Sequence, residues 1–375
     1  MNEQGNEVVR VSTLELFFDL VFVFTITQLT TVLVDRPNAR GIVQVVLMLG
    51  VIWWMYGGYA WLTNAVAPDR ASRRLLLLGG MGAYLVLALA IPDAFSGTGL
   101  TFGLAYLAIV SVHAGLFTRT SQEATLRDLM RLAPMNLVSA AVVLAGGIAG
   151  GTAQYILWAI AVALEWSTPR LIPTSGFLIG ASHFVERHGL VVIIAIGESI
   201  VAIGIAAQGL AIDLELVVFA LLGLVLSACL WWTYFGDEDQ TERALATTPP
   251  DRQSIVAVDA FGLWHLAILL GIVAIAATEK RATGHVFDPL DFEPALGLAV
   301  GLSVFLVGDV LFRRTLGLQG GGARLAAAVL APATIPLGTA VSAFAELTAL
   351  VVLLLAALGT EAMATKSARA APESS

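Results

Sequence analysis

Leu14-Glu15-Leu16-Phe17-Phe18-Asp19-Leu20-Val21-Phe22-Val23-Phe24 opens an apolar run that continues to Val34. A helix needs about 20 mainly apolar residues to cross the hydrocarbon of a bilayer, and 14–34 has that length. Runs of similar length recur at 41–63, 74–92, 99–118, 129–149, 152–169, 184–207, 214–235, 254–277, 293–312, 322–338 and 339–358. Hydrophobic residues make up 58% of the 375, and charged residues only 13%, against about a quarter in a soluble domain. Twelve spans would use roughly 240 residues and leave short loops with no large soluble domain. The expected fold is an all-α, polytopic transmembrane bundle of about twelve spans. The pair 322–338 and 339–358 is the least separated: no polar loop divides it, and Pro332 and Pro336 would serve either to kink one helix or to turn between two.

Loop charges orient this arrangement. With the N-terminus in the cytoplasm and every span crossing, the cytoplasmic side holds 16 Lys and Arg residues, Arg10 and Arg119 among them. The outer side holds four: Arg36, Arg40, Lys280 and Arg281. That is the asymmetry of the positive-inside rule, and it puts both termini inside. An internal repeat fits the same count. Ile52-Trp53-Trp54-Met55-Tyr56-Gly57 returns as Leu230-Trp231-Trp232-Thr233-Tyr234-Phe235-Gly236. Arg131-Leu132-Ala133 returns as Arg324-Leu325-Ala326. Such in-order matches suggest two parallel six-helix halves, 1–180 and 181–375, the second with a short cytoplasmic tail.

Several classes are excluded or disfavoured. The formal charge of −8 comes with no basic cluster, so nucleic acid is not an expected partner. Cys229 is the only cysteine, which rules out an internal disulfide or a cysteine-based metal cluster. Met1 to Arg10 is polar and acidic, unlike a cleaved signal, so the first helix is expected to stay. Gly320-Gly321-Gly322 lacks the Lys-Ser/Thr of a phosphate-binding loop. No nucleotide or heme signature and no nucleophile elbow is present, so no cofactor is expected.

An ionisable residue inside a membrane span is costly and marks a functional candidate. Glu15 and Asp19 lie four apart on one helical face, which Phe22 and Ile26 continue. That face should meet protein or water, as a cation-attracting entrance or as a structural partner of an arginine. His183-Phe184-Val185-Glu186-Arg187-His188-Gly189 opens the seventh span, with Glu198 and Ser199 further along. Arg187 and Glu198 share a face but sit three turns apart, about 16 Å, so they cannot pair. Arg187 is at the depth to pair with Glu15 or Asp19. His183, Glu186 and His188 have a spacing too common to specify a metal. Asp259 and His265 are secondary candidates, six apart and on different faces. His113, Glu165, Asp309 and Glu346 complete the polar set within or near spans.

The run Leu14 to Phe24 resembles the opening signature of the low temperature requirement protein A family, and His183 to Ser199 resembles its second signature. Ala67, before Pro68, stands where many relatives are expected to carry an acid. The resemblance implies a bacterial multi-pass membrane protein without an assigned molecular activity. Phe17-Phe18-Asp19-Leu20-Val21-Phe22-Val23-Phe24 is also similar to the first-helix motif of lysosomal-type potassium channels, built from six-helix repeats. By that resemblance Asp19 and Glu198 would be equivalent, on two helices that line a path.

The leading expectation is a channel or transporter for a cation, proton or small solute in the bacterial inner membrane. Glu15, Asp19, His183, Glu186, Arg187, Glu198 and Ser199 would form its polar path. A membrane sensor or structural protein in low-temperature or stress adaptation is the main alternative, and a membrane-embedded enzyme acting on a lipid or quinone the weaker one. Expected partners are the lipid bilayer, a small cation or solute, and further copies of the chain.

Overall fold

In the computed structural model the described residues are 11–65, 70–117, 123–172 and 179–370. Ala67, Arg10 and Arg119 fall outside them. The described residues contain helices and no strand. The first six helices are α1 (Thr13–Asp35), α2 (Ala39–Ala65), α3 (Ala71–Ala90), α4 (Gly99–Phe117), α5 (Glu123–Ala149) and α6 (Gly151–Leu171). Then follow α7 (Ala181–Ala206), α8 (Leu214–Phe235), α9 (Glu238–Thr247) and α10 (Pro250–Ala257). A π-helical stretch, Val258–Trp264, leads into α11 (His265–Ala282). The chain ends with α12 (Phe292–Thr315), α13 (Gly322–Leu330), the 3-10 turn Ala331–Thr334, α14 (Ile335–Ala340) and α15 (Ala343–Ala370).

Eleven helices among the described residues are long and apolar enough to cross a membrane. The sixth expected span is a 21-residue helix, α6, but Gln154, Glu165 and two tryptophans dilute its apolar run, and it is not among the eleven. The region 322–358 forms two candidate spans, Gly322–Ala340 and Ala343–Ala364, separated at Val341 and Ser342. Pro332 and Pro336 lie at the starts of the 3-10 turn and α14, where the missing N–H of proline costs least.

Local chemistry sets the helix ends. Ser12 caps α1: its hydroxyl accepts from the Glu15 N–H at 3.4 Å, and the Glu15 carboxylate accepts from the Ser12 N–H at 2.8 Å, a reciprocal capping box. Asp213 caps α8 by accepting from the Leu216 N–H at 2.9 Å. Gly150 and Gly151, with φ of 63° and 53°, reverse the chain between α5 and α6 in a conformation only glycine adopts without strain.

The helices cluster into two compact units. The first comprises Met1–Ile194 and Asp239–Leu266, the second Ala195–Glu238 and Ala267–Ser375. In the first, α3, α4, α5 and α6 pack in succession, and α1 packs on α2 and α3. On α1, Phe17 and Leu20 are exposed, whereas Glu15, Phe18, Asp19, Phe22 and Ile26 are buried. The acidic stripe therefore faces protein.

In the second unit, α12 packs on α13, and α15 packs on α8, α13 and α14. Gly271 of α11 and Gly301 of α12 let two backbones meet: a Cβ on Gly271 would lie 2.6 Å from the Gly301 carbonyl oxygen. Small residues at such crossings permit close helix packing in membranes. Gly271→Val is expected to force these helices apart at a cost of about 1–3 kcal/mol, read as a lower midpoint of thermal unfolding in detergent.

Candidate functional site

Glu15, Asp19, Thr63 and Tyr56 of the first unit gather around Arg187, whose side chain is wholly buried in α7. One guanidinium nitrogen donates to Glu15 Oε1 at 2.9 Å and also to the Thr63 hydroxyl of α2. The other terminal nitrogen donates to Asp19 Oδ1 at 3.3 Å. The guanidinium also lies over the rings of Phe18 and Tyr56, 5.5 and 5.7 Å from their centroids, where the π faces stabilise a cation. Arg187 thus joins the two acids that sequence spacing placed on one face.

Each acid has further partners. Glu15 Oε2 closes the α1 cap and accepts from the Ser12 hydroxyl at 2.7 Å. Glu15 Oε1 lies 3.1 Å from His183 Nε2. The opposite ring nitrogen, Nδ1, is 3.3 Å from Asn64 Nδ2. Asn64 is oriented by the Gly180 backbone, accepting from its N–H at 3.0 Å and donating to its carbonyl at 3.2 Å. With Asn64 donating, His183 Nδ1 accepts, so Nε2 carries the proton that Glu15 receives. Asp19 Oδ1 also accepts from the Tyr56 hydroxyl at 2.8 Å. Asp19 Oδ2 is buried and has no hydrogen-bond partner among the described residues. Two carboxylates therefore face one guanidinium, and one carboxylate oxygen is left over.

An aromatic wall lies against this cluster. Tyr56 stacks on Trp53 with centroids 4.9 Å apart and planes 9° apart. Trp53 in turn stacks on His265 at 6.3 Å and meets His188 edge-on at 6.0 Å. The π-helical stretch serves this wall: Trp53 Nε1 donates to the Gly262 carbonyl at 2.9 Å, and His265 Nδ1 donates to the Ala260 carbonyl at 2.9 Å. Single π turns inside helices often occur at functional sites. A cavity of about 110 Å³ opens on the far side of Trp53, lined by residues of α2, α4, α5, α6, α7 and the α10–π segment.

The other sequence candidates lie elsewhere. Glu186 is half-buried and accepts from the Val11 N–H at 3.4 Å. Asp259 is turned away from His265 and pairs with Arg170 at 2.7 Å on a partly exposed face. Glu198 and Ser199 are buried but belong to the second unit. Glu165 of the first unit accepts from Tyr106 at 2.5 Å and Ser139 at 2.6 Å, a sealed contact that ties α6 to α4 and α5. His183 and His188 do not converge on a common point: His188 Nδ1 donates to the Phe184 carbonyl at 2.8 Å. No group of three metal-ligating side chains occurs among the described residues.

Sequence reasoning missed several members of these sites. Trp53 and Tyr56, which the sequence marks only as part of the repeated segment, are both fully buried, whereas Trp231 and Trp232 of the similar segment are exposed. In the second unit, Arg324 is not a surface anchor: it donates to Asp309 at 2.5 Å, to Glu361 at 2.9 Å and to the Thr233 carbonyl at 2.9 Å. The available signal was Asp309 near the end of one span and Arg324 at the start of the next. Glu279 is also buried there, beside Gly223. It went unmarked because Lys280 and Arg281 follow it and suggest a loop.

This is a multi-pass helical membrane protein with an acid–arginine cluster buried among its helices. The model of the Bacterial low temperature requirement A protein (LtrA) family matches residues 10–358, and the chain belongs to that family. An uncharacterized protein of Rhizobium meliloti (strain 1021) is 30% identical over 339 residues, covering 84% of this chain and 80% of its own.

Proposed function

We propose that this LtrA-family protein is a channel or transporter for a cation, proton or small solute, and that the Glu15–Asp19–Arg187 cluster controls passage through its first unit. The observation that carries this reading is the surplus acid. A structural ion pair needs one carboxylate per guanidinium, whereas Arg187 faces two and Asp19 Oδ2 has no hydrogen-bond partner among the described residues. Buried polar atoms are nearly always paired, and ionisable residues inside spans typically mark ion or substrate pathways. The excess carboxylate is suited to receive a proton or a cation. His183, hydrogen-bonded to Glu15, extends the same network to Asn64 of α2. On this reading Glu198 and Ser199 act in the second unit, and the chain has two six-helix halves with both termini in the cytoplasm of a bacterial inner membrane.

A second reading has its own support. Glu15, Asp19 and Arg187 are at most 2% exposed, so the cluster also fits a latch in a membrane sensor or structural protein. Flux through purified protein in liposomes separates the two. Permeation predicts proton or monovalent cation flux that Asp19→Asn and Glu198→Gln reduce at least tenfold. A latch predicts no protein-dependent flux.

A further inference from the structure

We propose that the aromatic cavity of the first unit is a binding site for a small quaternary ammonium group. Trp53, Trp54, Trp61, Trp166, Phe184 and Phe261 place six aromatic side chains in its wall. Trp54 and Trp166 meet edge-to-face with centroids 5.6 Å apart, as do Trp61 and Phe184 at 5.5 Å. The space exists because α2 presents Gly57 here: a Cβ on Gly57 would meet nothing within 4 Å, whereas one on Gly58 would press on the His113 ring at 3.0 Å. The volume, about 110 Å³, is of the order of the ~150 Å³ apolar cavity that admits benzene. It takes one compact group rather than a whole lipid.

Hydrogen bonding narrows the chemistry. Three indole N–H groups of the wall are already committed to protein acceptors. Trp53 donates to the Gly262 carbonyl, Trp54 to Asn136 Oδ1 at 3.1 Å, and Trp166 to the Gly50 carbonyl at 3.2 Å. Of the other polar side chains that line the space, Asn136 Oδ1 accepts from Trp54, His188 Nδ1 donates to the Phe184 carbonyl, and His113 is the third. The ring faces and the shape suit a neutral apolar group or a cation that carries no N–H. Charge decides between them. Behind Trp53 stands Tyr56, bonded to Asp19, where two carboxylates face one guanidinium. The Arg170–Asp259 pair beside Pro169 and Val258 compensates itself. Aromatic faces backed by surplus negative charge favour a quaternary ammonium, the ligand that aromatic cages bind through cation–π attraction.

Four of the eight tryptophans line this cavity, so intrinsic fluorescence of the purified full-length protein in detergent reports occupancy. The probes are (2-hydroxyethyl)trimethylammonium and its uncharged carbon isostere, 3,3-dimethylbutan-1-ol. The ammonium should give a saturable change at millimolar concentration, and the alcohol should bind about tenfold more weakly or worse. Gly57→Leu, which fills the cavity, should abolish the response with helicity unchanged by circular dichroism. Asp19→Asn should weaken ammonium binding several-fold. Equal binding of the two probes, no response to either, or an undiminished response in folded Gly57→Leu overturns the proposal. The readout needs no translocation, so binding without flux leaves this site standing while removing the permeation reading.

Discussion

Arg187→Met is expected to destabilise the protein by about 3–5 kcal/mol, the cost of stranding buried charges when one partner of a buried ion pair is removed. Two carboxylates lose their guanidinium at once, Glu15 at 2.9 Å and Asp19 at 3.3 Å, and Thr63 loses a donor. In a marginally stable protein that loss removes most of the folded population. The measurement is the monodisperse fraction after detergent extraction, together with the unfolding midpoint. Adding Glu15→Gln and Asp19→Asn to Arg187→Met should recover much of the loss, because replacing a whole buried ion group by neutral residues is often close to neutral. If Arg187→Met alone extracts and melts like the wild type, the cluster is not the buried ion group described above.

Arg324→Met should have an effect of the same order in the second unit. Arg324 donates to Asp309 at 2.5 Å, to Glu361 at 2.9 Å and to the Thr233 carbonyl at 2.9 Å. It thereby joins α13 to α12, α15 and α8. Its removal leaves the wholly buried Asp309 without its cation, and a loss of about 3–5 kcal/mol follows on the same grounds. Asp309→Asn in the Arg324→Met background should restore part of the stability. The check is again thermal unfolding in detergent, with Arg314→Met, on the exposed side of α12, as a control expected to change little.

Much of this architecture was legible because a bilayer imposes length. Runs of about 20 apolar residues have few alternatives to spanning helices, and the acidic face of α1 followed from four-residue spacing alone. The depth of Arg187 relative to Glu15 and Asp19 could also be read, since rise per residue converts position into height. Burial around the helix axis was harder. Trp53 and Tyr56 could not be placed because nothing in a hydrophobic run distinguishes a lipid-facing aromatic from a protein-facing one. The π-helical stretch Val258–Trp264 carries no proline or glycine pair to announce it. There the Gly262 carbonyl accepts from Trp53 Nε1 of α2 as well as from the His265 N–H. The Arg324–Asp309 contact was hidden for a related reason: an arginine near a span end usually marks a cytoplasmic edge, and only tertiary packing turns it inward. The 322–358 region resolved once Val341 and Ser342 were seen to break the helix, a stop that the two upstream prolines only suggested.

Permeation assigns the surplus acid at Arg187 to a conducting pathway rather than to a fixed strut. The most direct measurement is proton and monovalent cation flux in proteoliposomes containing the wild-type protein or Asp19→Asn, with equal incorporation verified. Permeation predicts protein-dependent flux in the wild type and a loss of at least tenfold in Asp19→Asn, which keeps the shape of the side chain and removes its charge. Wild-type vesicles no leakier than empty ones, or flux unchanged by Asp19→Asn, would contradict it.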